Sequence, residues 1–263
     1  MIETNACFQV AIEKASHFNY SFCFHNLSLV EKIKITAVTK DLEQMKIEIT
    51  SEIGLFSPYT FYIDRFLEGT PVTVENLAFD YNIPFIRNLV EKDLDTLTCT
   101  IYSKNEILYQ QKFAVNVLPM DYFGGLSKYP ELLASYVLPN HDIIYTIKAE
   151  AVKILEKNRL TPAFLGYQSD SKDRVLQEVM ALYQAILNIN ITYSAMPASF
   201  ETEGQRIRLV DQIWETKFGN CIDISLLFAA CLEAIDLNPI LIVTRGHAFI
   251  GVWHSDQRLE AVV

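Results

Sequence analysis

The hydrophobic period of this chain first changes at Pro119, and that change limits the possible folds more than any other feature. From Cys7 to about Leu118 the recurring unit is a short run that alternates apolar with polar residues and is rich in β-branched and aromatic side chains. Examples are SLVEKIKITAV (28 to 38), MKIEIT (45 to 50) and TLTCTIYS (96 to 103). A period of two is that of a strand. In KIKITAV, Ile33, Ile35 and Ala37 share one face and Lys32, Lys34 and Thr36 the other, the pattern of a sheet wet on one side. The segment KNEI (104 to 107) has the polar residues of a hairpin turn. Strands at this spacing predict a β-sandwich of immunoglobulin-like architecture over residues 1–118.

Beyond Pro119, residues 119–142 hold Gly124, Gly125 and several prolines among aromatics, and read as a packed connector. A helical period then begins. Ile143, Ile144, Ile147, Ala151, Ile154 and Leu155 repeat at helix spacing, as do Val175, Val179, Leu182, Tyr183 and Ile186, with Asp170 or Ser171 as N-cap of the second helix. CIDISLLFAACLEAI, from Cys221 to Ile235, is apolar almost all round, as expected of a helix buried at the centre of a domain. Two strand-like runs follow, PILIVTR (239 to 245) and HAFIGVW (247 to 253), then polar HSDQ and the strand-like RLEAVV. The expected class is α+β: a β-sandwich, then an α+β domain over 143–263.

Composition narrows the function. Apolar residues are 50% of the chain, enough to fill a sizeable core. The formal net charge of -10 is the wrong sign for a surface that attracts phosphate backbones, so direct nucleic-acid binding is not expected. MIETNACFQVAIEK has no basic region leading into an apolar one, and no run is long enough to span a bilayer, so the expected location is cytoplasmic, with no membrane partner. Cys7, Cys23, Cys99, Cys221 and Cys231 are odd in number and contain no C-x-x-C pair, which suits reduced thiols. No metal or cofactor is expected; a zinc site from Cys221, Cys231, His247 and His254 lacks ligand spacing.

The sharpest local feature is FGNCIDIS (218 to 225), where Gly219 and Asn220 lead Cys221 into the first turn of the buried helix. Unpaired backbone N–H groups and the positive helix end favour thiolate there. One strand later, RGHAFIGVW starts a second strand with His247, placed to hold the thiolate as an ion pair and then protonate a leaving group. Against this stands the commoner role of a free cysteine as a small core residue, which is the role expected for Cys231. Asp223 reads as an acid that complements the helix dipole and raises the thiol pKa somewhat. Gln205, Arg206 and Arg208 cluster in GQRIR, either to hold an anion or, as favoured here, to bridge structurally to the acidic excess.

The run from GQRIRLVDQIWETKFGNCIDISLLFAACLEAIDLNPILIV to RGHAFIGVW resembles the core of the transglutaminase-like, papain-related superfamily. LPNHDIIYTI, FLGYQSDSKDRVLQEVMALYQAI and ITYSAMPASFETEGQRIRL resemble the N-terminal region of very large bacterial helicase-like proteins, in which a β-rich segment and a transglutaminase-like domain precede an ATPase. The resemblance covers residues 115–253 well and the N-terminal half loosely. It implies a thiol hydrolase or acyltransferase of cysteine-peptidase type acting on peptide or amide bonds of a protein or peptide substrate, with Cys221 and His247 catalytic. It also implies an ATPase or helicase region of the same polypeptide as a partner; no phosphate-binding loop of the G-x-x-x-x-G-K-[ST] type occurs here.

In that superfamily an acid or amide on the next strand orients the histidine. If HSDQ is a four-residue loop, the partner of His247 falls one position past Val263, and Glu260 is in reach only through a longer or bulged hairpin. The domain is therefore expected to be truncated at its C-terminal end, or to work as a dyad, or to be degenerate. Trp214 and Gln212 are the candidate oxyanion or substrate contacts beside the amide of Cys221, although core packing and surface exposure are their commoner roles. The rival expectation is a catalytically inactive transglutaminase-like module for binding or assembly; a third is a structural scaffold in which Cys221 and His247 are not neighbours.

Overall fold

The structure, a computed structural model, describes residues 2–5, 8–25, 27–37, 42–104, 106–194 and 204–257. It is a mixed α+β chain with several sheets, and it divides into two compact units, Met1–Met120 and Asp121–Val263. Among the described residues no helix is long and apolar enough to cross a membrane.

The first unit carries β1 (Ile2–Asn5), β2 (Phe8–Lys14), β3 (His17–Phe18), β4 (Val30–Ala37), β5 (Leu42–Ser51), β6 (Tyr59–Phe66) and β7 (Pro71–Glu75). The short helix α1 (Ile83–Arg87) follows, then β8 (Asp93–Ser103) and β9 (Glu106–Val117). They form a four-stranded sheet in the order β1-β2-β4-β7 and a five-stranded sheet in the order β3-β9-β8-β5-β6. The alternation read from the sequence decides which faces are dry. Ile33 and Ile35 of β4 are buried while Lys34 is exposed, and Met45, Ile47 and Ile49 of β5 are buried, Ile47 opposite Ile101 and Ile49 opposite Cys99 of β8. The β8–β9 hairpin turns at Lys104, whose φ is 48°.

The second unit begins with β10 (Tyr122–Phe123) and a 3-10 turn over Pro130–Tyr136, whose Leu132, Leu133 and Tyr136 are buried. The expected connector is thus packed structure. Then come α2 (Asp142–Lys157), α3 (Lys172–Leu187), β11 (Thr192–Tyr193), β12 (Gln205–Arg206), α4 (Val210–Thr216), β13 (Phe218–Gly219), α5 (Cys221–Glu233), β14 (Pro239–Thr244) and β15 (His247–Val252). Ser171 caps α3 by accepting from the amide of Arg174. Ile144, Ile147, Ala151 and Leu155 of α2 and Val175, Leu182 and Ile186 of α3 close on Leu227, Ala230 and Cys231 of α5. Each leucine or isoleucine buried this way contributes about 1.5–3 kcal/mol, and this cluster holds α5 at the centre of its unit. Lys148 of α2 donates to the carbonyl of Ala234 at 2.6 Å, setting a cation on the last turn of α5.

Candidate functional site

Cys221 is the first residue of α5 and is half-buried. The helix start is built by a reciprocal cap. The side chain of Asn220 accepts from the amide of Asp223 at 3.1 Å, and the carboxylate of Asp223 accepts from the amide of Asn220 at 3.0 Å. Asp223 is fully buried and also accepts from the Arg208 amide at 2.9 Å and from its guanidinium at 3.0 Å. The acid set against the thiol by the sequence is therefore charge-matched, and Arg208 is committed to it. Arg206 reaches Asp121 at 3.7 Å.

Gly219 permits the close approach in front of this cap. A Cβ there would meet Ile224 Cγ1 at 3.2 Å and Ile191 Cγ2 at 3.5 Å. The approach lets β13 pair in parallel with β11, Tyr193 opposite Gly219, with the Ser194 amide donating to the Gly219 carbonyl at 2.9 Å. Tyr193 thereby lies near the nucleophile candidate, close enough for its phenol to be influenced by Cys221. Partial desolvation, and then the charge and side-chain hydrogen bond of Cys221, raise the phenol pKa. No spacing rule points to Tyr193; only the pairing of two two-residue strands brings it here.

His247 arrives by a separate route. β14 leaves the C-terminal end of α5 and runs back along it, both elements spanning ~20 Å. The turn through Arg245 and Gly246, whose φ is +72°, then starts β15 at the end of the layer where Cys221 opens the helix. The side chain faces elsewhere. Ala248 is buried, and Ile250 and Val252 pack on the cluster that contains α5, so the alternate residues His247 and Phe249 lie on the opposite face of the hairpin. Their rings stack at 6.3 Å between centroids. Among the described residues no hydrogen bond joins the His247 ring to Cys221; the ring stands beside Phe249.

Gln212 accepts from the Leu209 amide at 3.3 Å, which ties its carbonyl oxygen to the start of α4. Trp214 packs on the helical core, with the ammonium of Lys217 4.1 Å from its ring centroid. Among the described residues neither makes a hydrogen bond with Cys221. Glu260 lies outside the described residues, as does Cys7. Asp256 accepts from the side-chain amide of Asn238 at 3.2 Å, a turn role. Among the described residues no three His, Cys, Asp or Glu side chains gather to hold a metal ion. A cavity of about 480 Å³, lined by Glu233, Asp236, Asn238, Ile240 and Trp253, opens at the C-terminal end of α5, remote from Cys221. Burial pushes the Glu233 carboxyl up.

The other described cysteines are the half-buried Cys23 and the buried Cys99 and Cys231. Burial pushes the Cys23 thiol up to about 11, and those of Cys99 and Cys231 to about 12. In each case the folded value lies above the unfolded one, so stability is fully present below the unfolded thiol pKa and is lost as pH rises from there toward the folded value. By pH 10 the loss is about 1.4 kcal/mol for each of Cys99 and Cys231. Urea midpoints at pH 8 and pH 10 should therefore fall less in Cys99→Ala and in Cys231→Ala than in the wild type; equal falls would refute the assignment.

A scan against models of protein families finds no match for this chain, and no curated protein matches it.

Proposed function

We propose that the second unit is a transglutaminase-like, papain-related domain that acts as a thiol hydrolase or acyltransferase on peptide or amide bonds. The first unit is then an immunoglobulin-like β-sandwich, and both belong to a cytoplasmic, helicase-like polypeptide. One observation carries the reading: an accessible cysteine opens the first turn of a capped, buried central helix, and the strand that begins with His247 packs along that helix. In the proposed reaction the Cys221 thiolate attacks the carbonyl carbon and forms a thioester through a tetrahedral intermediate. The C–N bond breaks as the departing amine takes a proton from the His247 imidazolium, whose ring first has to turn from the outer face of the hairpin toward α5, and water or a second amine then takes the acyl group. The Cys221 amide faces the developing oxyanion. Tyr193 stands beside this end of the helix.

The outward ring of His247 favours a second reading, a catalytically inactive module for binding or assembly. Iodoacetamide alkylation of each cysteine from pH 5 to 9, followed by mass spectrometry, separates the two. The enzyme reading expects rapid alkylation of Cys221 at pH 6 and a fall of about ten-fold in His247→Ala. A Cys221 rate that follows an ordinary thiol titration in wild type and His247→Ala alike leaves the module reading.

A further inference from the structure

One helix of the second unit is apolar on two faces. Val175, Leu182, Ala185 and Ile186 of α3 pack into the core, yet Leu176, Met180, Tyr183 and Leu187 leave 43, 61, 53 and 48% of their surfaces open to water. Their spacing of four, three and four residues is that of a coiled-coil seam, a stripe along one side of a helix 16 residues long. The Tyr183 ring lies 6.0 Å from that of Phe228 on α5, which widens the stripe at its middle. The same face carries no charge. Arg174 and Glu178 are buried and paired with each other, and beyond Asp173 none of the exposed residues of α3 is charged.

We infer that this face pairs with the same face of a second copy of the chain, the two α3 helices running antiparallel about a twofold axis at the level of Ala181 and Leu182. The seam reads the same in both directions. Reversal sets Leu176 on Leu187 of the second copy and Met180 on its Tyr183, a thioether against an aromatic ring. Gln177 and Gln184, on one flank of the seam, meet across the pair as amide against amide. Lys172 and Asp173 at the head of the helix fall beside Asn188 and Asn190 past its end, whereas in a parallel pair each would face its own like. An uncharged, self-complementary seam lets two chains of net charge -10 approach here without like charges opposing, and it offers a charged partner segment no counter-charge. A seam of about 24 Å buries less than the roughly 800 Å² per partner of a standard interface, so the pair is weak, with a dissociation constant on the order of 100 μM. The inference concerns α3 and stands apart from the thiol chemistry.

Sedimentation equilibrium of the full chain in reducing buffer, from about 10 μM to about 1 mM, tests it: the wild type should be monomeric at the low end and mostly dimeric at the high end. Met180→Lys, at an exposed position, should keep the thermal midpoint and weaken dimerisation about a hundred-fold, because the twofold axis counts the buried charge twice. Leu176→Lys and Leu187→Glu should each weaken it as well. An equimolar mixture of those two should associate about ten-fold more tightly than either alone, since only the antiparallel pair sets the new cation against the new anion. A wild type that stays monomeric at the highest concentration would overturn the proposal and assign the face to a helix of another protein. Dimerisation unmoved by Met180→Lys, or a mixture no tighter than its components, would overturn it too.

Discussion

Replacing Glu178 by alanine should cost the second unit about 3–5 kcal/mol, a large part of the 5–15 kcal/mol that a domain of this kind has in hand. Glu178 is fully buried on α3 and serves three donors: the Arg174 guanidinium at 2.7 Å, the Leu165 amide at 2.8 Å and the Gly166 amide at 3.0 Å. Arg174 in turn donates to the carbonyls of Thr161 at 2.8 Å and Ala163 at 2.6 Å. The pair thus pins the loop ahead of α3 to the helix itself. Removing the carboxylate leaves a buried guanidinium without its counter-ion and two amides without an acceptor. Arg174→Ala should cost less, about 2–3 kcal/mol, because Glu178 keeps both amides. Urea unfolding at pH 7 measures both. A Glu178→Ala protein within 1 kcal/mol of the wild type, or an order reversed between the two variants, would refute this account of the loop.

Asp223→Ala should cost about 2–4 kcal/mol, with the loss concentrated at the helix start that carries Cys221. Three donors lose their acceptor: the amides of Asn220 and Arg208 and the Arg208 guanidinium. Arg208 is partly exposed, with 29% of its side chain accessible, so solvent rehydrates some of its charge and keeps the cost below that at Glu178. Asp223→Asn retains the shape and part of the accepting capacity and should lose about half as much. Hydrogen exchange gives the decisive reading: protection of the first-turn amides of α5 should drop in Asp223→Ala while α2 stays protected. Uniform loss across the unit would show that Asp223 acts on global stability and not on the local cap.

Much of the secondary structure follows from local pattern. Alternation at Lys32–Ile35 decides which face of β4 is buried, because successive side chains on a strand point to opposite sides whatever the partner. The helical repeat at Ile144, Ile147, Ala151 and Leu155 defines the dry stripe of α2, and Asn220 before Cys221 marks where α5 must start. These are properties of a few neighbouring residues. The same locality explains why Cys221 could be singled out from its position alone.

Three features of the candidate site are not local. The charge of Asp223 is matched by Arg208, and Tyr193 pairs opposite Gly219 beside Cys221, both through contacts distant in sequence. The ring of His247 lies beside Phe249 because Ala248, Ile250 and Val252 claim the face that meets α5. The sequence by itself determined an α+β chain and put a cysteine at the head of a buried helix, since propensity, capping and hydrophobic period act over one or two turns. Only the tertiary structure decided what stands around that cysteine, because a strand's facing is set by which of its two sides the core takes.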